Sequence, residues 1–570
     1  MRKGYFTFVL HSHLPYVLGH GRWPHGTDWL NEAAAETYIP LLMSCNRLAA
    51  KGIPPKFTIG ISPVLCEQLA HKSFIDEFSG YLEQKIEAAG ADATEFYRTG
   101  QNEYHDLARM WEDYYSEIKL TFNNHYNNNL IGEFRRLQDE GHIEIITCAA
   151  THGYLPLLSQ DISCQVQVKT AKASYKSHFG RDPRGIWLPE CAYRPSYEWS
   201  PPVKIKGLPD SYSRKGIEEF LSENGLEYFF VDSATLKGGK AIGVYVDRFE
   251  ALKTLWGIFE KQYVPRDEDE EKSPQNVYLV GSKEGKMPVG VFTRDPQSSL
   301  QVWSGEWGYP GDGNYLDFHK KRFPGGHRYW KVTSAKSDLA DKQTYNPDWV
   351  TGRIEENASH FAHLVKDILL NHHKSTGSPG ILVAPFDSEL FGHWWFEGPR
   401  FLEKTIEKLG SDNEVGLSTA SEYYDLSKPS KIVSLPEGSW GEGGYHYIWL
   451  NEWTEWTWKH IYEDELKMIE LAKGYVDAGD LEKRIITQAG RELLLLSASD
   501  WQFLISTWAA RDYAETRIAT HHEAFNRLAE MAGRADSLSD GEREYLADLE
   551  KRDDIFPDFD PRWFEKVEFR

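Results

Sequence analysis

Two carboxylic acids directly follow apolar segments of the chain, at points where a buried strand would end. Glu190 lies in "GIWLPECAYRP" (185–195), and Asp387 ends "GILVAPFD" (380–387). A pair of carboxyl groups can cleave a glycosidic bond, because one acid donates a proton while the other attacks the sugar. The alternative is that each acid only caps a helix or forms a turn.

The neighbours of the two acids predict different pKa values. His393 and Trp394 lie in the aromatic segment that follows Asp387, and such a poorly hydrated setting raises the pKa of a carboxyl group. Arg194 lies close to Glu190 in sequence and would favour its ionised form. Two carboxyl groups with separated pKa values can divide the roles of acid and nucleophile between them.

Seven short β-rich segments would position these acids. They do not alternate between apolar and polar residues, and runs apolar on both faces are typical of parallel strands covered by helices. Helical patterns such as 35–52 and 359–373 separate several of them, which predicts an α/β barrel or a doubly wound sheet. The segments are 5–11, 57–62, 143–150, 184–190, 226–232, 288–295 and 380–387.

Six of the seven segments end in His, Glu or Asp. The carboxyl ends of barrel strands meet at one face, where barrel enzymes build their active sites. One such residue alone could equally be a cap or a turn former, but six together favour a functional rim. These residues are His11 and His13, His152, Glu190, Asp232, Asp295 and Asp387.

Long segments interrupt the strand pattern. Residues 72–140 predict a helical insert, and residues 196–285 predict a second insert rich in loops that includes an acidic, solvated stretch. Beyond residue 411 the patterns are helical, for example at 481–507. We therefore predict a catalytic barrel over 1–410 and a helical domain over 411–570 that contributes to the site.

The "HSH" at residues 11–13 permits a rival interpretation. Histidines spaced in this way after a first barrel strand can hold zinc in amidohydrolases and deacetylases. That chemistry needs further ligands, and the sequence shows no second HxH and no cluster of Asp and His at ligand spacing. We therefore expect no metal. A sugar-binding protein without catalysis is a third class, which would explain the 20 tryptophans but not a carboxylate pair.

Composition limits the partners. A net charge of −22 disfavours nucleic acid and anionic membranes, and no apolar segment reaches membrane-spanning length. We see no signal peptide, and the five cysteines contain no CxxC pattern, so we expect a cytoplasmic protein with reduced thiols. No GxGxxG follows the first strand, which disfavours a nucleotide cofactor. The 14% of aromatic residues suits a surface on which sugar rings stack.

Five segments resemble, in chain order, the five motifs of glycoside hydrolase family 57. The third and fourth are long and specific, and they contain Glu190 and Asp387. The resemblance runs from Leu10 to about Pro561, and within the family it points to the branching enzymes. The segments are "HSHLPY" (11–16), "ATHGYLPLL" (150–158), "WLPECAYRP" (187–195), "PFDSELFGHWWFEGP" (385–399) and "LLLSASDWQFLI" (494–505).

The resemblance implies a fold, a mechanism and a set of site residues. The fold would be a (β/α)7 barrel, a distorted TIM-like barrel, with inserted helices and a C-terminal helical domain. The reaction would be a retaining double displacement without metal or cofactor, with Glu190 as nucleophile and Asp387 as general acid/base. The residues implied to contact the glucose at the scissile bond are His11, His13, His152 and Asp500. The residues implied to form aromatic walls are Trp23, Trp303, Trp440, Trp449 and Trp501. Further expected substrate contacts, from their proximity to the two acids, are Arg194, His393 and Trp394.

A loop tyrosine separates branching enzymes from the amylases and 4-α-glucanotransferases of this family. Counting from the double glycine of "KGGKAIGVY" (237–245) predicts that Tyr245 lies at the tip of that loop. The resemblance thus implies transfer of α-1,4-glucan chains, as in amylose or glycogen, to 6-hydroxyl groups. Hydrolysis and 4-α-transfer stay open as alternatives, and we expect the protein to act as a monomer.

Overall fold

The structure is a computed structural model, and it describes most of the chain. Tyr245 and part of the acidic stretch lie outside the described residues, so the expectations about them stay sequence predictions. The described residues are 2–238, 249–259, 261, 267–269, 271–281, 287–304, 308–334 and 336–565.

Seven parallel strands close into a barrel, and each corresponds to one of the seven predicted segments. Strand pairs join neighbours in chain order, and the last strand returns to the first. Two single parallel bridges complete the ring, Thr147 with Ile186 and Arg294 with Val383. The strands are β1 (Gly4–Ser12), β2 (Thr58–Ile61), β3 (Glu144–Ile146), β4 (Gly185–Ile186), β5 (Tyr228–Val231), β6 (Val289–Thr293) and β7 (Gly380–Asp387). The predicted barrel fold is therefore confirmed.

The strands are buried on both faces, as their continuous apolar runs predict. Side chains such as Phe8 and Leu382 are fully buried because the barrel interior is packed and helices cover its outer surface. The pairing of β1 with β7 is long, and its register sets His11 beside Asp387 at the carboxyl end. Two residues of the predicted rim are thus fixed by backbone pairing.

Helices cover the barrel and form its inserts. Residues 72–140, the predicted helical insert between β2 and β3, contain three α-helices. The helices before residue 411 are Thr27–Ala33, Ile39–Ala50, Pro63–Ala70, Lys72–Arg98, Asn102–Leu120, Leu130–Asp139, Asp161–Phe179, Ile217–Glu223, Ser233–Lys237, Glu250–Phe259, Pro296–Trp303, Pro347–Thr376 and Gly398–Gly410.

The described residues include five short strands outside the barrel ring. Tyr197–Trp199 pairs with Tyr212–Arg214 in the second insert, and Val415–Leu417 extends along β1. Tyr278–Val280 runs antiparallel to β6 and also pairs with Ile432–Val433. Strands therefore continue to pair with the barrel sheets after residue 410, and the domain boundary set there stays a prediction.

The C-terminal region is helical, as predicted, but one predicted helix is interrupted in the structure. Residues 481–507 read as one helix, but the structure has two, Asp480–Leu496 and Asp500–Thr507. Between them Ala498 bridges to Gly153, and the Ser499 amide donates to the His152 carbonyl over 3.1 Å. This contact with the barrel breaks the helix and carries Asp500 to the rim.

The remaining helices complete the C-terminal region. They are Ala420–Leu426, Glu455–Lys473, Asp480–Leu496, Asp500–Thr507, Arg511–Ala532 and Asp540–Arg552. Within the described part of the chain, none of the helices has the length and apolar character needed to cross a membrane.

Candidate active site

Glu190 lies at the carboxyl end of β4 in a strained backbone conformation. Its φ angle is 59°, and those of Cys191 and His152 are 49° and 60°, in the left-handed region that side chains rarely adopt. Each such residue costs about 1–3 kcal/mol, and strain of this kind clusters at functional sites. The turn aims the carboxylate at Trp440, whose indole N–H donates to Glu190 Oε2 over 2.7 Å.

The pKa of Glu190 is raised rather than lowered. Burial is the main cause and raises this pKa to about 8. The hydrogen bond from Trp440 lowers the pKa, and the negative charges of Asp387 and Asp500 raise it further. The expectation that Arg194 keeps this carboxylate ionised is therefore wrong. Arg194 is fully buried elsewhere, 3.9 Å from Asp161, so its charge is directed away from Glu190.

Asp387 ends β7 and is half-buried beside His11 of β1. His11 lies 3.0 Å from His152, and His152 lies 4.0 Å from Glu190, so the two predicted catalytic carboxyl groups lie at one site. The next residue fixes the strand end, because Ser388 Oγ lies 2.7 Å from Ser12 Oγ. Backbone pairing and this hydroxyl contact hold Asp387 at the rim.

Three histidines and one aspartate form a stacked cluster beside Glu190. His13 Nε2 lies 3.0 Å from both carboxylate oxygens of Asp500, and His11 Nε2 lies 3.0 Å from His152 Nε2. The His13 and His152 rings stack at 4.0 Å. His152 Nδ1 is 4.0 Å from Glu190 Oε1. The structure thus brings together the four residues implied to contact glucose.

The histidines of this cluster differ in their access to solvent, and two of them have a lowered pKa. Burial, and then the neighbouring imidazoles, lower the pKa of both His11 and His152 well below the usual value, so both rings are neutral. Neutral imidazoles offer one donor and one acceptor each. His13, Asp500 and Glu190 keep part of their side chains accessible, whereas His11 and His152 are buried behind them.

Two of the six polar strand ends have structural roles. Asp232 caps the helix Ser233–Lys237 and pairs with Arg294, while Asp295 caps the helix Pro296–Trp303. Arg294 also lies 5.7 Å from the centre of the Trp440 ring. The Asp232–Arg294 pair therefore supports the indole that donates to Glu190.

Three of the five predicted wall tryptophans lie around the site. Trp440 contacts Glu190, and its ring packs 6.5 Å from that of Trp303. Trp449 stacks on Tyr154 at 4.6 Å, next to the His152 turn. Trp303 and Trp449 are almost fully buried, so their role as glucan contacts stays a prediction.

Other predicted contacts lie elsewhere. Trp501 is fully buried, its N–H donates to the Leu495 carbonyl, and Arg517 covers its ring, so it packs in the C-terminal core rather than on a wall. Trp23 is 69% exposed and packs on Phe323. His393 is buried next to the Glu36–Arg328 ion pair, and the half-buried Trp394 follows it.

Sequence spacing did not reveal that rim residues group at distances suitable for a metal. His13, His152 and Asp500 place ligand atoms within 4.8 Å of one another, as do His11, Cys148 and His152. Ligand atoms far apart in sequence converge here, which local spacing could not indicate, and the expectation that the protein binds no metal stays a prediction. In the first group each ligand atom hydrogen-bonds to its neighbours or to a serine.

Four further side chains support the site and were not predicted. Ser62 follows β2 and lies 2.8 Å from His13 Nδ1, while Ser499 lies 2.8 Å from His152 Nδ1. Ser62 ends the one predicted strand that lacks a His, Glu or Asp at its end, so its position at a strand end could have indicated that it lies at the rim. Tyr38 donates to buried Glu389, two residues after Asp387, and burial raises the pKa of Glu389 to about 8.

A closed parallel barrel with two carboxyl groups and a histidine cluster at its rim suits an enzyme that cleaves glycosidic bonds. Residues 7–436 match the family model described as glycosyl hydrolase family 57, so the chain belongs to that family. Residues 460–564 match a second model, described as 1,4-alpha-glucan branching enzyme, C-terminal.

Relatives with known names match nearly the whole chain. The 1,4-alpha-glucan branching enzyme TK1436 of Thermococcus kodakarensis is 42% identical over 97% of this chain and 77% of its own length. Its crystal structure has a TM-score of 0.89 at 40% identity and covers 99% of this chain and 97% of that one. The GH57-type branching enzyme of Pyrococcus horikoshii has a TM-score of 0.87 at 38% identity, covering 100% and 98%. The alpha-amylase AmyC of Thermotoga maritima has a TM-score of 0.81 at 30% identity, covering 100% of both chains.

Proposed function

We propose that the protein is a 1,4-α-glucan branching enzyme with Glu190 as nucleophile and Asp387 as general acid/base. The observation that carries the proposal is the place of both carboxyl groups at one rim, where His11 beside Asp387 contacts His152, which in turn lies 4.0 Å from Glu190. The relatives named branching enzymes, and the match at residues 460–564, support the choice of reaction.

The reaction would proceed through a covalent ester. Asp387 protonates the glycosidic oxygen of the α-1,4 bond while Glu190 Oε attacks the anomeric carbon, which releases the non-transferred chain. Asp387, now ionised, removes the proton from the 6-hydroxyl of an acceptor glucan. That oxygen attacks the ester, frees Glu190 and forms an α-1,6 branch with retained configuration.

The proton balance of the site suits this cycle. A pKa of about 8 for Glu190 means that the pair of carboxyl groups holds a proton at neutral pH. The active form has that proton on Asp387 and an ionised Glu190. Donation from the Trp440 N–H to Glu190 Oε2 favours the ionised carboxylate, so it favours the active form.

The histidine cluster would hold the glucose whose bond is cleaved. His13 and Asp500 are accessible and polar, and they present a donor and an acceptor toward sugar hydroxyls. The neutral His11 and His152 position these groups from behind without adding charge. A sugar is uncharged, so a cluster that binds its hydroxyl groups depends on well-placed hydrogen-bond donors and acceptors more than on charge.

Transfer instead of hydrolysis requires that water be kept from the ester while an acceptor binds. Trp440 and Trp303 supply an apolar wall next to Glu190. The C-terminal helices supply Ser499 and Asp500 at the same rim, which closes it from the other side. Tyr245 is assigned to this barrier from the sequence alone.

Product analysis tests the proposal. Amylose incubated with the protein should gain α-1,6 linkages with little increase in reducing ends. A debranching enzyme should then release short chains from the product. Accumulating reducing sugar with no released chains would identify an amylase instead, and longer linear chains alone would identify a 4-α-glucanotransferase.

We further propose that the enzyme contributes to glycogen formation in the cytoplasm. All five cysteines are free and buried, which suits a reducing compartment. Glycogen is a branched α-glucan, so an enzyme that adds α-1,6 branches would act during its synthesis.

A further inference from the structure

Two tryptophans meet on the surface of the C-terminal region. Trp508 directly follows the helix Asp500–Thr507 and is 57% exposed. Its ring centre lies 5.4 Å from that of the half-buried Trp453, at an interplanar angle of 36°. We call these two residues the indole platform.

The backbone of Trp508 shows that helix stability does not explain this residue. It ends the helix with a φ of 56° and a ψ of 17°, the left-handed conformation that glycine adopts freely and other residues avoid. A glycine at this position would relieve the strain and would expose no large apolar ring. An exposed indole in a strained conformation is a feature for which function is the better explanation.

A network of hydrogen bonds joins the two halves of the platform. The Trp453 amide donates to Asn451 Oδ1 over 2.9 Å, and the side-chain amide of Asn451 donates to Ser506 Oγ over 2.9 Å. Ser506 in turn donates to the Ile448 carbonyl over 2.5 Å. The segment that holds Trp453 is thus tied to the helix that ends at Trp508, so the two rings keep a fixed relation.

We propose that the indole platform is a second binding site for α-1,4-glucan, beyond the glucose contacts of the catalytic rim. This inference rests on the proposed function, because the occupant is a stretch of the polymeric substrate. Trp508 lies eight residues after Asp500, about 12 Å along the helix axis, so one glucan chain can reach both the catalytic rim and the platform. Trp449, in the segment that holds Trp453, packs beside the rim.

The chemistry of the platform fits a neutral sugar polymer. The C–H faces of glucose pack on indole rings, whereas the net charge of −22 disfavours anionic ligands. Two rings in fixed relation can hold consecutive or nearby glucose units, and a polymeric substrate gains affinity from a second contact on the same chain. The platform would therefore strengthen binding of long glucans and leave short ones unaffected.

The substitution Trp508→Gly tests this directly, because glycine removes the ring and also relieves the backbone strain. The experiment measures the Kd of full-length protein for amylose by retardation in native gels, in a Glu190→Gln background so that the polymer is not consumed. Trp508→Gly should raise the Kd roughly threefold to tenfold, without lowering the melting temperature. Trp508→Phe, which keeps a ring, should raise it less.

Trp349 provides a matched control. It is 60% exposed and packs under the Lys331 ammonium group at 5.2 Å, on a different helix. Trp349→Ala should leave the Kd for amylose unchanged. An unchanged Kd in Trp508→Gly, or an equal rise in both variants, would overturn the platform. The two proposals can fail separately. If the wild-type protein forms no transfer product but substitution of Trp508 still weakens amylose binding, the branching reaction is refuted and the platform stands.

Discussion

Among the described residues, two clusters of histidine and carboxylate side chains bring ligand atoms within metal-binding distance of one another, and the two clusters differ in charge balance. The rim cluster lies at the carboxyl end of the barrel, and the C-terminal cluster lies between the loop after β1 and the last helices. The rim cluster consists of Glu190, His11, His13, His152 and Asp500. The C-terminal cluster consists of His20, Glu492, His521 and Asp553. Members of both can group around a metal ion by distance alone.

Arginines neutralise the C-terminal cluster. Arg517 lies 2.9 Å from His521 Nε2, and Arg552 bonds to Asp553 over 2.6 Å. Burial alone would raise the pKa of Asp553, but the hydrogen bond from His20 and the neighbouring cations hold it well below the usual value. Each charge here has a partner, which is the arrangement of a structural network.

In the described part of the chain, no arginine or lysine pairs with Glu190 of the rim cluster. Among the described residues, the groups that shift the pKa of Glu190 are Trp440, Asp387 and Asp500, and none of them is a cation. Glu190 also sits in a strained turn and is partly accessible. The comparison teaches that residue types alone do not identify a reactive site. The lack of compensating charge, the strain and the access distinguish the rim from an equally polar structural cluster.

Removal of the nucleophile should have the largest effect. Glu190→Gln keeps an acceptor for Trp440 but cannot form the ester, so turnover should fall about 10⁴-fold while the melting temperature stays unchanged. The exposed Glu198→Gln is the matched control and should keep normal turnover. Azide should restore some activity to Glu190→Ala. Ordinary turnover in Glu190→Gln would show that the rim carboxylate is not the nucleophile.

The same kind of substitution in the C-terminal cluster should act on stability. Asp553→Asn breaks a buried, paired charge, so the free energy of unfolding should fall by about 3 kcal/mol with kcat preserved. Its neighbour Asp554 has an exposed side chain, and Asp554→Asn should change stability by less than about 0.5 kcal/mol. Lost turnover at an unchanged melting temperature in Asp553→Asn would contradict the structural role.

The pH dependence of kcat/KM should move in opposite directions in two rim variants. The active form keeps one proton on the pair of carboxyl groups, so kcat/KM should fall as the pH rises through about 8, where the pair loses that proton. Trp440→Phe removes a donor that stabilises the carboxylate and should shift this limb up by about one unit. Asp500→Asn removes a negative charge and should shift it down. Shifts of the same sign would refute the pKa assignment.

Chelation should have the smallest effect. The rim histidines are engaged with Ser62, Ser499 and Asp500, so we expect unchanged turnover and an unchanged melting temperature after exhaustive treatment with EDTA. Activity that disappears with EDTA and returns with Zn²⁺ would support the metal-dependent hydrolase alternative. A fall in melting temperature alone would place a metal in the C-terminal cluster.

Local patterns predicted the strands well and tertiary contacts poorly. All seven barrel strands were visible because doubly buried strands read as continuous apolar runs. The helix break at residues 497–499 could not be predicted in this way, because it depends on a bridge to Gly153, which is far away in the chain. That break delivers both Ser499 and Asp500, so the residue that completes the histidine cluster could be found only through the family resemblance.

The charge and burial of residues around the site also could not be predicted from their sequence neighbours. Arg194 lies four residues from Glu190 in sequence, but its guanidinium group lies 3.9 Å from Asp161. Trp501 follows Asp500 directly, and yet helix geometry turns its ring into the core. Sequence neighbours point in different directions after a turn or along a helix, so proximity in the chain did not predict electrostatic partners.

The most direct test of the account is a covalent trap on Glu190. An Asp387→Asn variant should accept α-maltosyl fluoride, because fluoride leaves without help from an acid, but it lacks the base that activates the acceptor. The ester should therefore accumulate. Acid quenching, proteolysis and mass spectrometry should then locate one maltosyl group on the peptide that contains Glu190. A maltosyl group on any other carboxylate, or fluoride release with no labelled peptide, would contradict the double displacement.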